Sequence, residues 1–100
     1  MSYELRFSDK AQKQWEKLGA NVRAEFIPIL KRRLEEPHIP SARLKGAPNL
    51  YKIKLKSSGY RLAYQVRDRK MVVFVIGMGR RDEFYDDLRE VGLRNLLGDD

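Results

Sequence analysis

The sequence predicts an α+β fold with two N-terminal helices on one face of a mainly antiparallel sheet of about four strands, and a short C-terminal helix. Three observations predict it. Residues 9–36 carry apolar side chains at helical spacing, residues 50–67 alternate between apolar and polar side chains, and residues 70–77 are almost continuously apolar. A chain of 100 residues with 42% hydrophobic content suits one domain, residues 1–100.

A short strand is expected at residues 3–7, because apolar and polar side chains alternate there. Its inward side chains are Tyr3, Leu5 and Phe7. Ser8 follows as the N-cap of a first helix, and Gly19 is expected to end that helix. The apolar stripe of this helix consists of Ala11, Trp15 and Leu18. Trp15 is therefore expected in the core.

A second helix is expected from about Asn21 to the residues just before Pro37. Its buried stripe consists of Val22, Phe26, Ile29, Leu30 and Leu34. Pro28 lies within this pattern, and a proline in a helix interior costs roughly 3 kcal/mol because it removes a backbone hydrogen bond. We therefore expect a kink at Pro28 or a late start of the regular helix. Residues 37–49 are expected to form a loop, with a brief extended piece at 42–44.

A β-hairpin is expected in the segment LYKIKLKSSGYRLAYQ, residues 50–65, with its turn at Ser58 and Gly59. With that turn, the cross-strand pairs are Leu55 with Leu62, Ile53 with Tyr64, and Lys56 with Arg61. A slip by one residue would bury lysines, so burial fixes which side chains share a face.

The hairpin concentrates positive charge on one side of the sheet, which we call the basic face. Its members are Lys52, Lys54, Lys56 and Arg61. Like charges on neighbouring strands destabilise a sheet. Folding alone therefore does not account for these neighbouring like charges, whereas binding of an anionic ligand would account for them.

A third strand is expected at residues 70–77, antiparallel to the second half of the hairpin. This pairing puts Arg61 opposite Ile76 and brings Gly79, Arg80 and Arg81 to the basic face. A last helix is expected from Asp82, with frayed residues at 93–100. Its apolar stripe consists of Phe84, Leu88 and Val91.

The net charge of +7 is distributed unevenly along the chain. Residues 1–81 hold 19 basic and 7 acidic side chains, whereas residues 82–100 hold 2 basic and 7 acidic ones. A basic body attracts polyanions, of which nucleic acid is the commonest in cells. The chain contains no cysteine and no long apolar run, so we expect a cytoplasmic protein without disulfides or a membrane span.

Other chemically reactive side chains give weaker signals. His38 is the only histidine and lies in the proline-rich loop, where no partner motif accompanies it, so no function is expected of it. Asp82 and Asp86 are one helical turn apart, close to Glu83 and Asp87. Acidic residues at a helix N-terminus and on a solvated face account for this group, and no metal site is expected.

Several fragments together resemble the RelE family of bacterial toxin endoribonucleases. These fragments are WEKLG, RLKGAP, YKIKLKSSGYRLAYQV and VVFVIGMGRR, in that order, and they span almost the whole domain. The resemblance implies a RelE-like fold and the toxin half of a toxin–antitoxin pair. It further implies a cytoplasmic, cofactor-free mRNA interferase that cuts messenger RNA in the ribosomal A site, with a RelB-like antitoxin as its partner.

The resemblance also assigns roles to individual residues. By matching position, Lys54 is the general base, Arg81 the general acid, and Lys52 and Arg61 hold the scissile phosphate. Lys45, Lys56 and Arg80 are expected to bind RNA. The family carries a tyrosine beyond the Arg81 position, and here Phe84 and Tyr85 compete for that role. Phe84 suits the core, so Tyr85 is chosen, although a tyrosine that merely packs the helix on the sheet is an equal alternative.

Two other functions stay open at this point. ParE-like members of the wider superfamily share the fold, lack the basic residues and inhibit DNA gyrase. The presence of Lys52, Lys54, Arg61 and Arg81 argues against that function. The other alternative is a non-catalytic RNA-binding module, in which the basic face docks but the altered region after Arg81 does not support cleavage.

Overall fold

A computed structural model describes residues 2–44, 48–85 and 88–89. The strands are β1 (Glu4–Phe7), β2 (Leu50–Lys54), β3 (Tyr60–Arg67) and β4 (Val72–Arg80). The helices α1 (Asp9–Lys17) and α2 (Ala20–Glu35) lie between β1 and β2, and residues 81–85 and 88–89 are helical. Short 3-10 turns occupy Pro40–Ala42 and Asp68–Lys70. The α+β expectation is confirmed.

The four strands form one mixed sheet in the order β1-β4-β3-β2. β2, β3 and β4 are antiparallel neighbours, whereas β1 runs parallel to β4. β1 and β2 are therefore the edge strands. The strand order places the N-terminal strand beside the last strand of the chain, which hairpin reasoning alone did not predict.

The helices cover one face of the sheet, as expected. Their cluster with the sheet contains Ala11, Phe26 and Leu30 from the helices and Tyr51, Ile53, Leu55, Leu62, Tyr64, Val66, Val73, Val75 and Met78 from the strands. Trp15 packs at its edge, with ring centroids 5.6 Å from Phe7 and 6.3 Å from Phe26. The predicted core position of Trp15 is confirmed.

The helix termini follow local chemistry, with two differences from expectation. Ser8 caps α1 by accepting a hydrogen bond from the Ala11 amide. Gly19 is not the end of α1 but the N-cap of α2, in an extended conformation. The late start expected at Pro28 is wrong, because α2 begins at Ala20 and continues through Pro28. Pro28 and Ala24 are both exposed, so water can reach the Ala24 carbonyl that lacks its helical partner.

The hairpin register differs from the predicted one by two residues. Ile53 pairs with Leu62 and Lys54 pairs with Arg61, so Lys56 does not face Arg61. The loop contains residues 56–59 and is closed by hydrogen bonds from the Leu55 amide to Tyr60 and from the Gly59 amide to Leu55. Gly59 has φ of 77°, which a residue without a Cβ adopts most easily. A two-residue shift preserves the faces, so Lys52, Lys54 and Arg61 share one face as expected, whereas Lys56 lies in the loop and not on the sheet.

The pairing of β3 with β4 also differs from the prediction. Arg61 lies opposite Gly79 instead of Ile76, for two reasons. The connection includes the 3-10 turn and Met71 in a left-handed conformation, which makes it longer than a two-residue turn. A β-bulge between Ala63 and Tyr64 then shifts the register by one further residue.

No helix within the described part of the chain is both long enough and apolar enough to cross a membrane. The expected apolar stripe of the last helix is met at Phe84 and Leu88, while Val91 lies outside the described residues. The helical segment begins at Arg81, one residue earlier than expected.

Candidate functional site

The centre of the basic face is the pair formed by Lys54 on β2 and Arg61 on β3. The Leu55 amide donates to the Tyr60 carbonyl next to this pair, so Lys54 and Arg61 form a non-hydrogen-bonded pair. Side chains in such pairs approach each other most closely. Lys52 lies two residues along the same face, opposite Ala63. The sheet therefore presents three cations from two adjacent strands.

Arg61 is the buried member of this group, with 9% of its surface exposed. One terminal nitrogen donates to the Gly59 carbonyl at 3.3 Å, but Nε has no hydrogen-bond partner among the described residues. A buried donor without a partner is costly, and more so when it is charged. The Arg61 guanidinium thus has donor capacity that no described residue uses.

Tyr85 covers Arg61 from the C-terminal helical segment. The guanidinium carbon of Arg61 lies 5.9 Å from the centre of the Tyr85 ring. Phe84 is buried with Ala63, Ile76 and Leu50, and its ring centroid is 5.0 Å from that of Tyr85 in an edge-on arrangement. The structure therefore puts Phe84 in a second apolar cluster and turns the half-buried Tyr85 toward the basic face.

Arg81 and Arg80 lie side by side in sequence but have different surroundings. Arg81 is exposed and follows β4 directly, two residues beyond the Gly79 that pairs with Arg61. Arg80 pairs with Tyr60, and its guanidinium carbon is 5.3 Å from the Tyr60 ring, which packs on the helix-side cluster. Arg80 is thus at the rim on the helix side, away from Lys54.

The other residues predicted to bind RNA are Lys56 and Lys45. Lys56 is exposed in the loop between β2 and β3, next to the basic face. Lys45 lies outside the described residues. The structure thus brings together Lys52, Lys54, Arg61 and Tyr85, with Lys56 and Arg81 beside them.

Within the described part of the chain, no carboxylate neutralises the site cations. Among residues 2–44, 48–85 and 88–89, no carboxylate forms an ion pair with Lys52, Lys54, Arg61 or Arg81. The same residues contain no group of three or more histidine, cysteine or acidic side chains that could hold a metal ion. Of the acidic group considered above, Asp86 and Asp87 lie outside the described residues. The described site can bind a phosphate through charge and hydrogen bonds.

His38 takes part in a polar network that sequence reasoning missed. Its ring nitrogens lie 3.1 Å from the Tyr51 hydroxyl and 2.8 Å from the Asp68 carboxylate, and the Tyr3 hydroxyl donates to the same carboxylate at 2.6 Å. The hydrogen bonds from Tyr3 and then His38 lower the pKa of Asp68, and the bond to Asp68 raises the pKa of Tyr3. These residues are distant in sequence, so no local motif could have revealed the network. It lies at the opposite end of β3 from Arg61.

Comparison with known proteins adds independent information. A family model described as the ParE toxin of the type II toxin–antitoxin system parDE matches residues 5–85. The mRNA interferase toxin RelE of Escherichia coli K12 is 52% identical over 82 residues, which cover 82% of this chain and 86% of that protein. The mRNA interferase RelE of Shigella flexneri matches to the same extent.

Two solved structures are similar to the whole fold. A mutant of E. coli toxin RelE in the free state has a TM-score of 0.87 and 44% identity, covering 97% of this chain and 100% of that one. The toxin in the crystal structure of the intact E. coli RelBE toxin–antitoxin complex has a TM-score of 0.79 and 51% identity, covering 81% and 99%.

Proposed function

The chain belongs to the RelE and ParE family of toxins from type II toxin–antitoxin systems, and we propose that it is a ribosome-dependent endoribonuclease that cleaves messenger RNA in the ribosomal A site. Cleavage of the message would stop translation, which makes the protein a toxin. The relatives with 52% identity are mRNA interferases, and the identity covers the strands that carry the basic face.

One observation carries the chemical part of this proposal: Arg61 is buried opposite Lys54, keeps an unpartnered Nε and has no carboxylate partner in the described structure. The repulsion within this pair is relieved when an anion binds between the two side chains. A phosphodiester supplies that anion, and its charge increases when the phosphorus becomes pentacoordinate. Cations fixed on a sheet therefore stabilise the transition state more than the ground state.

In the proposed reaction, the ribose 2′-oxygen attacks the neighbouring phosphorus and the bond from phosphorus to the 5′-oxygen breaks. Lys54 must lose its proton to reach the uncharged amine form, which then accepts the 2′-hydroxyl proton, and Lys52 and Arg61 hold the phosphate oxygens. Arg81 lies toward the leaving 5′-oxygen. Because arginine keeps its charge in proteins, we assign Arg81 mainly the stabilisation of negative charge on that oxygen, which takes its proton from water. The products are a 2′,3′-cyclic phosphate and a 5′-hydroxyl.

Other residues complete the proposed site. Tyr85 orients Arg61 through the face of its ring and offers a surface for a nucleotide base. Lys56, Lys45 and Arg80 contribute attraction to the RNA backbone. This set contains no histidine, the side chain that most often serves as a general acid or base, so the rate depends strongly on how the substrate is positioned. That dependence explains a requirement for the ribosome.

We further propose that the protein acts in the cytoplasm and is held inactive by a RelB-like antitoxin. Structural relatives of this chain include E. coli RelE in complex with RelB. An acidic segment of the antitoxin is expected to neutralise the basic face or to displace the C-terminal helical segment that carries Tyr85.

Mapping RNA ends on programmed ribosomes and on naked RNA tests the proposal. We expect new 5′ ends only in ribosome-bound message, at the A-site codon, and these ends should carry a hydroxyl group. Ligation that succeeds only after enzymatic phosphorylation would identify them. Equal cutting of naked RNA, or 5′-phosphate ends, would contradict the proposed mechanism.

Inhibition of DNA gyrase is the second candidate function, because the matching family model is named for ParE. In that case the protein would bind gyrase and perform no chemistry on RNA. A supercoiling assay run beside the ribosome assay separates the two candidates. Lost supercoiling with intact message would favour the gyrase inhibitor, whereas cut message with normal supercoiling would favour the nuclease.

A further inference from the structure

The lysines of the basic face are carried by β2, which is an edge strand of the sheet. Lys52 belongs to a non-hydrogen-bonded pair with Ala63, so its backbone carbonyl points away from β3 toward the open edge. Elsewhere on this edge, the Leu44 amide donates to the Leu50 carbonyl. Arg43 also forms an isolated antiparallel bridge with Tyr51, so contacts on the outer side of β2 help to set its position near Lys52.

Arg33 of α2 provides a contact on the outer side of β2 at Lys52 itself. Its guanidinium donates to the Lys52 carbonyl at 3.3 Å and to the Tyr64 hydroxyl at 2.7 Å. Tyr64 is fully buried, and its hydroxyl in turn donates to the Pro37 carbonyl at 2.8 Å. The guanidinium carbon also lies 5.6 Å from the centre of the Tyr64 ring. Arg33 is thus fixed by a rigid core residue while it contacts the backbone of a site residue.

We propose that Arg33 is a positioning residue for the nuclease reaction, which fixes the edge of β2 and thereby the side chains of Lys52 and Lys54. This inference rests on the proposed function. Arg33 gives the Lys52 carbonyl the hydrogen-bond donor that a further strand would provide, and this bond restrains the strand at Lys52. Reactions that depend on substrate positioning are sensitive to small displacements of the reacting groups. Arg33 reaches Lys52 only through the backbone carbonyl, so it does not need to touch RNA.

The test compares Arg33→Met with Arg32→Met, which removes the same charge from an exposed position on the same helix turn. Cleavage of ribosome-bound message is measured in single-turnover reactions, at a temperature where circular dichroism shows every variant folded. We expect Arg33→Met to lower the saturated rate about tenfold and to leave the half-saturating concentration within about twofold. Arg32→Met should keep the saturated rate. Equal saturated rates for the two variants would overturn the proposal.

Tyr64→Phe provides a second variant, because it removes the hydroxyl that anchors Arg33 but keeps the buried ring. The proposal requires a rate loss of the same kind, and a double variant no slower than Arg33→Met alone, because both changes break one chain of contacts. Additive losses would show two separate packing effects and would contradict the positioning role.

Nuclear magnetic resonance provides a readout that does not depend on cleavage. Loss of the bond from Arg33 should shift the carbonyl carbon resonance of Lys52 in Arg33→Met and not in Arg32→Met. An unchanged resonance would overturn the positioning role even if the rate falls. If the unmodified protein leaves ribosome-bound message intact, the proposed function fails, and the Lys52 resonance still decides whether Arg33 holds the strand.

Discussion

At the scale of single residues, Arg61 shows how the site is prepared for a ligand. Its guanidinium is buried beside Lys54, with the Tyr85 ring 5.9 Å away and Nε unpartnered. Burial fixes its direction, since a buried arginine has few alternative rotamers, and the missing partner leaves a donor for the substrate. Lys54 and Arg81, in contrast, are exposed.

Arg81→Ala should abolish detectable cleavage without unfolding the protein. Arg81 is exposed and contributes charge at the site, with no role in either apolar cluster. Arg69→Ala is the matched control, because it removes one exposed positive charge at the other end of β3 and β4. Cleavage of ribosome-bound message by the two variants is compared. Full activity of Arg81→Ala would disprove the assignment of Arg81.

Substitution of Tyr85 should mainly lower activity, whereas substitution of Phe84 should mainly lower stability. Tyr85→Ala removes the ring beside Arg61 and should slow cleavage, whereas Tyr85→Phe keeps the ring and should retain most of the rate. Phe84→Ala opens a cavity at a side chain with 1% exposure and should cost about 3–5 kcal/mol of unfolding free energy. Cleavage rates and urea unfolding measure the two effects. A Tyr85→Ala variant that cleaves normally would reduce Tyr85 to packing.

At the scale of elements, the hairpin shows which features of a strand pair are robust. The observed register differs by two residues from the expected one, yet Tyr51, Ile53 and Leu55 still face the helices. Side-chain alternation has a period of two, so an even shift changes partners but not faces. The consequence for the site is local. Lys54, which the resemblance to the RelE family assigns as the general base, is the direct neighbour of Arg61, in place of Lys56.

Gly59→Ala tests the loop that sets this register. A Cβ at Gly59 meets no atom within 4 Å, so any loss of stability comes from the φ of 77°. We expect a loss of about 1–2 kcal/mol for alanine and a smaller loss for asparagine, which tolerates the left-handed region better. Urea unfolding measures this loss of stability, provided that the slope of unfolding free energy against urea concentration is unchanged. Equal stability of Gly59→Ala and the parent would exclude the observed loop conformation.

At the scale of the whole molecule, Asp68 connects parts of the chain that are distant in sequence. Its carboxylate accepts a hydrogen bond from Tyr3, which precedes β1, and lies 2.8 Å from His38 in the loop after α2. His38 in turn contacts Tyr51 on β2. The network therefore joins both edges of the sheet at the end away from the site, and it gives His38 a structural role that sequence alone did not suggest.

The network predicts a loss of stability in acid. The pKa of folded Asp68 is lowered by hydrogen bonds from Tyr3 and His38, so the charged carboxylate favours the folded state. This contribution is present above the ordinary aspartate pKa of about 4 and is lost as the pH falls through the lower folded value. Asp68→Asn should therefore flatten the acid side of a plot of unfolding midpoint against pH. Parallel curves for parent and variant would contradict this role.

Tyr3→Phe tests the same network from the basic side. The pKa of Tyr3 is raised by its bond to Asp68, so the neutral hydroxyl favours the folded state, and this contribution is lost as the pH rises above about 10. The variant should lose this dependence at high pH. It should also weaken the acid dependence, because Asp68 loses its strongest donor. Unfolding midpoints measured at pH 9–11 check the first expectation, and midpoints measured on the acid side of the curve check the second.

Much of the candidate site could be predicted from local sequence. Alternation in residues 50–67 predicted the basic face, and helical spacing predicted that helices cover the opposite face. The ordered motifs indicated the family. The orientation of Arg80 could not be predicted, because it depends on the bulge between Ala63 and Tyr64. The contact of Arg33 with Lys52 could not be predicted either, since 19 residues and an irregular loop separate the two.

The sequence by itself determined which side chains share a face, since that depends only on the period of a strand or helix and on burial of the apolar set. The tertiary structure alone decided which cations are neighbours, which ring covers Arg61 and what holds the edge of β2. Those features depend on loop length, a bulge and contacts between distant segments. Local patterns carry no information about them, because each is set by the packing of the complete chain.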